Sequence, residues 1–162
     1  MRLRVVIFED NDGIRQGLRA LCEGRGHEVF AFPEPGLCPL HVMERCPCAP
    51  GIICADIIFS DLNMPGVQGL DFIEGLMAKH CVVPHLVLMS AEWTEADEAR
   101  PVRLGCRLFH KPFSLAELDA WLAKIEPLVP PDRGLLLWDS FAWQRSVSAL
   151  GAIHSSVQDL PA

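Results

Sequence analysis

Five short apolar runs, over residues 3–8, 28–32, 57–60, 85–89 and 107–110, alternate along this chain with stretches whose apolar residues recur every three or four positions. That alternation predicts a parallel sheet covered by helices on both faces, because parallel strands need crossover connections and helices supply them. The run Ile57-Ile58-Phe59-Ser60 is β-branched and aromatic and stops before Pro65-Gly66. It reads as a buried strand entering a turn. Asp61 follows it at once, at the strand's carboxyl end, where open α/β sheets gather their ligand sites.

Helical spacing fills the gaps. Asp12 is the expected cap of a first helix to about residue 25, with Ile14, Leu18 and Leu21 as its stripe. Five prolines between residues 33 and 50 leave room only for a brief helix over 40–45. Phe72, Ile73 and Leu76 mark a helix ending near His80, and another is expected over 95–104. Ser114 with Glu117 forms a capping box for a fifth, whose buried stripe is predicted to be Leu115, Leu118, Leu122 and Ile125.

Two more places complete the constellation around Asp61. Glu9-Asp10 ends the first apolar run, and Lys111 follows the last one, just before Pro112. Three acidic groups and a lysine at strand ends suit a divalent cation and a phosphoryl group. Like charges gathered there without a cation would oppose folding, so a purely structural account of the four together is poor.

The motifs Phe8-Glu9-Asp10, Asp61-Leu62-Asn63-Met64-Pro65-Gly66, Met89-Ser90-Ala91-Glu92 and Lys111-Pro112-Phe113 stand in this order at strand ends. In this the chain resembles the receiver domains of two-component response regulators, over roughly residues 1–127. The resemblance implies a flavodoxin-like, doubly wound α/β fold with a five-stranded parallel sheet in the order 2-1-3-4-5. It implies that Asp61 accepts a phosphoryl group from a histidine kinase or histidine phosphotransfer protein, with Mg²⁺ as cofactor. Glu9, Asp10, Asp61 and the backbone carbonyl of Asn63 are the implied metal ligands. Lys111 would pair with phosphoryl oxygens, Ser90 would hydrogen-bond to them, and Asn63 and Glu92 would flank the path of the hydrolytic water. Such a protein catalyses only its own phosphorylation and dephosphorylation, then switches contacts with a downstream protein target. A phosphatase of the haloacid-dehalogenase type is the enzymatic alternative, but it places a second Asp where this chain has Asn63.

Two positions depart from the family pattern. Leu108 stands where the family often has a switch aromatic, and period-two alternation turns the neighbouring Phe109 to the opposite face. The connection between the second and third strands is also long, with the excess in residues 36–54. Cys38, His41, Cys46 and Cys48 fall there and suggest a metal- or thiol-sensing module as an alternative function for segment 38–54. The Cys-x-Cys spacing departs from the usual zinc knuckle, so the expectation is a metal-free loop with unpaired thiols. Cys22, Cys81 and Cys106 read as small buried hydrophobes.

A net charge of -7 argues against a nucleic-acid surface, which needs clustered Lys and Arg. With 50% hydrophobic residues and 22% charged ones the chain is globular, and no run approaches membrane-spanning length. The expected protein is cytoplasmic, with neither nucleic acid nor membrane as a partner. Residues 128–162 read as an extension without a separate output domain. Its apolar run Leu135-Leu136-Leu137-Trp138 and a stripe of Trp143, Val147, Leu150 and Val157 are expected to pack on the receiver or across a homodimer. Trp93 is either a partner contact or a partly buried core indole.

Overall fold

The computed structural model describes residues 1–137. In chain order its strands are β1 (Arg4–Phe8), β2 (Glu28–Phe32), β3 (Ile52–Ile53), β4 (Ile57–Asp61), β5 (His85–Ser90), β6 (Arg107–His110) and β7 (Gly134–Leu135). The helices are α1 (Asp12–Gly24), α2 (Pro39–Val42), α3 (Gly69–Ala78), α4 (Glu95–Arg103) and α5 (Leu115–Ile125). Five strands form one sheet in the order β2-β1-β4-β5-β6, and every pairing in it is parallel. Setting aside the two-residue β3, this is the expected 2-1-3-4-5 order of the flavodoxin-like fold.

Period two divides the strands between two cores. Val6, Phe8, Ile58 and Leu88 face α3 and pack with Phe72, Ile73 and Leu76. Val5, Ile7, Ile57, Phe59, Val87 and Met89 face the other way, onto Leu18 and Cys22 of α1 and Leu118, Leu122 and Ile125 of α5. β1 and β4 are buried on both faces along their whole length, which is why they read as unbroken apolar runs.

Several local details differ from the sequence reading. Asn11, rather than Asp12, caps α1, accepting from the Ile14 amide at 3.0 Å. The brief helix expected over 40–45 is one turn, α2, which starts at Pro39 and ends at Val42. The capping box of α5 forms as expected, but Leu115 lies 50% exposed at its first turn, outside the buried stripe.

The main addition is a two-stranded parallel ribbon, β3 with β7, pairing Ile52 with Gly134 and Ile53 with Leu135. It ties the start of the extension to the long connection. Arg133 clamps the fully buried Asp56 through Nε at 2.6 Å and Nη2 at 2.7 Å. The Arg4 guanidinium donates to the Leu136 carbonyl. Thus residues 133–136 pack on the receiver body in the same chain. Trp138 and the Trp143 stripe lie outside the described residues.

Two glycines set the loop after β4. Gly66 turns it with φ of 86°, a conformation side chains rarely adopt. Gly69 opens α3 against the end of β4, and a Cβ there would lie 2.0 Å from the Asp61 carbonyl oxygen.

Gly69→Ala must therefore move backbone. It should cost about 1–3 kcal/mol in urea unfolding and shift the Asp61 amide resonance, and an unmoved resonance would show that the loop absorbs the methyl. Arg133→Ala should cost about 3–5 kcal/mol, since among the described residues it leaves a buried carboxylate with only the Arg4 amide as its hydrogen-bond donor. A loss below about 1 kcal/mol would mean that water replaces the clamp.

Candidate phosphoryl-acceptor site

Each acidic residue reaches the site from the carboxyl end of a strand. Asp61 is the last residue of β4 and 5% exposed. Glu9 follows β1 and is fully buried, and Asp10 beside it faces solvent. One carboxylate oxygen from each of the three lies within 4.8 Å of the others. Neighbouring strands β1 and β4 pair Phe8 with Ser60, so the residues that follow necessarily emerge side by side.

Lys111 enters from beyond β6, its amide fixed to the Ser90 carbonyl at 2.7 Å. Its ammonium lies 2.7 Å from Glu9 Oε2 and 3.2 Å from Asp61 Oδ1. Burial pushes the Glu9 carboxyl above its ordinary range, and the Lys111 hydrogen bond pulls it back. Asp61 is likewise raised by burial, and the Lys111 charge opposes the rise. A single lysine thus shares itself between two carboxylates, and a third lies beside them. Hard oxygen donors in this number and placement fit a small divalent cation, which favours carboxylate oxygen and retains waters.

Ser90 ends β5, with its side chain almost wholly enclosed. Its hydroxyl donates to the Glu92 carbonyl at 3.0 Å, accepts from the Glu92 amide at 3.1 Å, and lies 3.5 Å from Asn63 Nδ2. The structure therefore brings Ser90, Asn63 and Glu92 together beside Asp61, with Glu92 exposed. Leu108 packs into the α3-side core and Phe109 into the opposite one, as the alternation required. Trp93 is partly buried, with its ring 5.8 Å from that of His110.

The cysteines sort differently from the sequence reading. Cys38 is fully buried, which pushes its thiol up to about 12, and among the described residues neither it nor His41 joins a ligand group. Instead Cys46, Cys48, Cys54 and Cys81 converge, with all four sulfurs within 4.8 Å of one another. Cys54, which crowds into the same connection, and Cys81 stand outside the expected ligand set of Cys38, His41, Cys46 and Cys48, because the convergence depends on the start of β4 meeting the end of α3, which no local spacing encodes.

Comparisons with known proteins identify the family and the fold. The family model described as the response regulator receiver domain matches residues 5–123. The KDP operon transcriptional regulatory protein KdpE of Escherichia coli is 34% identical over 119 residues, covering 73% of this chain and 48% of that protein. A probable transcriptional regulatory protein of Picosynechococcus is 32% identical over 120 residues, 74% of this chain and 47% of that one. The chain thus spans about half the length of these curated relatives. Among solved structures, the chemotaxis protein CheY4 of Vibrio cholerae superposes with a TM-score of 0.60 at 21% identity, over 77% of this chain and 99% of that one. The non-phosphorylated HemR receiver domain of Leptospira biflexa gives 0.63 at 22% identity, over 80% and 98%. Among the described residues no helix is long and apolar enough to cross a membrane. With its sheet order, its clustered carboxylates and a family match across most of its length, the chain belongs to the response regulator receiver domains of two-component signal transduction.

Proposed function

We propose that Asp61 accepts a phosphoryl group from a phosphohistidine of a kinase or phosphotransfer protein, and that the chain thereby switches its contacts with a downstream protein in the cytoplasm. The observation that carries this reading is the Lys111 ammonium lying within 3.2 Å of a nearly enclosed Asp61 that shares its pocket with Glu9 and Asp10. In the transfer an Asp61 carboxylate oxygen bonds to phosphorus as the phosphorus–nitrogen bond breaks, and the bonding pair leaves with the imidazole. Phosphoryl transfer asks chiefly for in-line positioning and charge neutralisation. Lys111 supplies part of that neutralisation by turning from the carboxylates to the phosphoryl oxygens. Glu9, Asp10, Asp61 and the Asn63 backbone carbonyl would hold Mg²⁺, whose charge when bound offsets that of the phosphoryl oxygens.

Ser90 carries the switch. Its hydroxyl is engaged with the Glu92 backbone. Donating instead to a phosphoryl oxygen would free the Glu92 carbonyl and draw the loop after β5 inward. Leu108 lacks a ring to swing, so loop movement rather than aromatic rotation transmits the event. Asn63 and Glu92 flank the open side of Asp61 and orient the water that ends the signal. The chain acts as a receiver catalysing only its own phosphorylation and dephosphorylation.

Incubation with acetyl phosphate and Mg²⁺ should add one phosphoryl group to the wild type and none to Asp61→Asn by intact mass. Equal labelling of the two would sink the assignment. Chelation with EDTA should abolish the labelling, and Asp10→Asn should raise the Mg²⁺ concentration needed for half-maximal rate. After donor removal, Asn63→Leu and Glu92→Leu should each prolong the phosphorylated state about tenfold or more, because apolar groups bar the in-line water. Unchanged decay in both would separate these side chains from hydrolysis.

A further inference from the structure

The four converging thiols lie at the opposite end of the sheet from Asp61. Cys54 stands three residues before β4 and Cys81 four residues before β5, whereas Asp61 and Ser90 close those same strands. At least a strand's length, about 15 Å, separates the two places. Cys46 and Cys48 come from the long connection, whose Cys46 amide is held by the Lys79 carbonyl at 2.9 Å, just past α3. Three separate chain segments thus deliver sulfur to one point.

The spacing of the sulfurs is informative. Cys46 Sγ lies 3.3 Å from Cys48 Sγ and 3.9 Å from Cys54 Sγ, and Cys54 Sγ lies 3.7 Å from Cys81 Sγ. A disulfide needs about 2.05 Å, so these sulfurs are too far apart to be bonded. A tetrahedral zinc with bonds of about 2.3 Å sets its sulfurs about 3.8 Å apart, close to the observed distances. A backbone amide also points at the sulfurs, with the Cys54 amide 3.3 Å from Cys48 Sγ. Such donors orient and stabilise metal-bound thiolates.

We propose that Cys46, Cys48, Cys54 and Cys81 bind one zinc ion as a closed tetrathiolate site that fastens the 36–54 connection to the body of the receiver. Four protein sulfurs fill a tetrahedron and leave no position for water, so the role is structural. Binding converts four thiols to thiolates and releases their four protons to solvent. Between Cys48 and Cys54 the chain turns through an Ala49–Ile52 bridge and forms β3, the strand on which β7 pairs. The ion therefore holds the platform for the start of the extension. The Cys-x-Cys spacing that discouraged a zinc reading is only half of the ligand set.

The test uses the full chain purified under reducing conditions without added metal. Elemental analysis should find one zinc per chain, retained on dialysis and released when the thiols are alkylated or oxidised. Reconstitution of the metal-free protein with Co²⁺ should give the intense absorption of a tetrahedral thiolate complex. Cys46→Ser and Cys81→Ser should lose at least about tenfold in metal affinity, while Cys38→Ala and Cys106→Ala retain the wild-type metal content. Protease cleavage within 36–54 should accelerate in the stripped protein. Phosphorylation of Asp61 by acetyl phosphate should persist there, so failure of the zinc site and failure of the phosphoryl-acceptor reading are separately visible. Wild-type protein that holds no metal and gives no cobalt spectrum would overturn the site, as would a disulfide among these cysteines in protein freshly isolated under non-reducing conditions. One equivalent of a different metal would overturn the zinc assignment.

Discussion

The Lys111 ammonium between two enclosed carboxylates is the contact on which the receiver end of this molecule depends. Glu9 is fully buried, Asp61 nearly so, and Asp10 adds a third negative group. Desolvation and mutual repulsion both favour protonated carboxyls here, and a protonated Asp61 is no nucleophile. Lys111 opposes that tendency at both sites at once. Its reach requires β6 to lie where it does, beside β5, with the Lys111 amide bonded to Ser90. The sheet order is thus not an incidental frame for the chemistry. It makes a chemically reactive carboxylate compatible with a folded core.

The same sheet separates two kinds of ligand chemistry. Hard oxygen donors gather at the carboxyl ends of the strands and soft sulfur donors at the amino ends. Strand polarity accounts for the first, since ligand sites of parallel sheets form where strands give way to helices. The second owes nothing to that rule. It arises from a connection long enough to pack on the α3 side of the sheet and meet the residues that follow α3.

Much of this was legible in the sequence, for identifiable reasons. The unbroken apolar runs of β1 and β4 announced strands buried on both faces, and the polar residue ending each marked the site. Glu9, Asp10, Asp61, Ser90 and Lys111 could be placed because each stands at, or within two residues of, the carboxyl end of its own strand. The cap of α1 was misplaced by one residue, because Asn11 and Asp12 are both competent caps and only the backbone distinguishes them. Leu115 fits the helical period yet lies exposed in the first turn of α5, a position that period alone does not distinguish from the buried ones. The β3–β7 ribbon was invisible because two-residue strands carry no periodicity. Cys81, read as a small core residue, was missed as a member of the thiol group because its partners lie far away in sequence.

The ribbon also bears on how the molecule comes together and apart. Arg133 and Asp56 are 77 positions apart in the chain, and Arg4 and Leu136 are 132 apart. Closing loops of that length is entropically unfavourable until something else has brought their ends near. The five-stranded sheet brings them near, so the β3–β7 pairing depends on the sheet and not the reverse. Contacts that form after the rate-limiting step govern the lifetime of a folded protein more than its speed of folding. The amides of Gly134 and Leu136, bonded to Gly51 and Ile53, accordingly belong to a unit that can exchange with solvent while the amides of β1 and β4 stay protected.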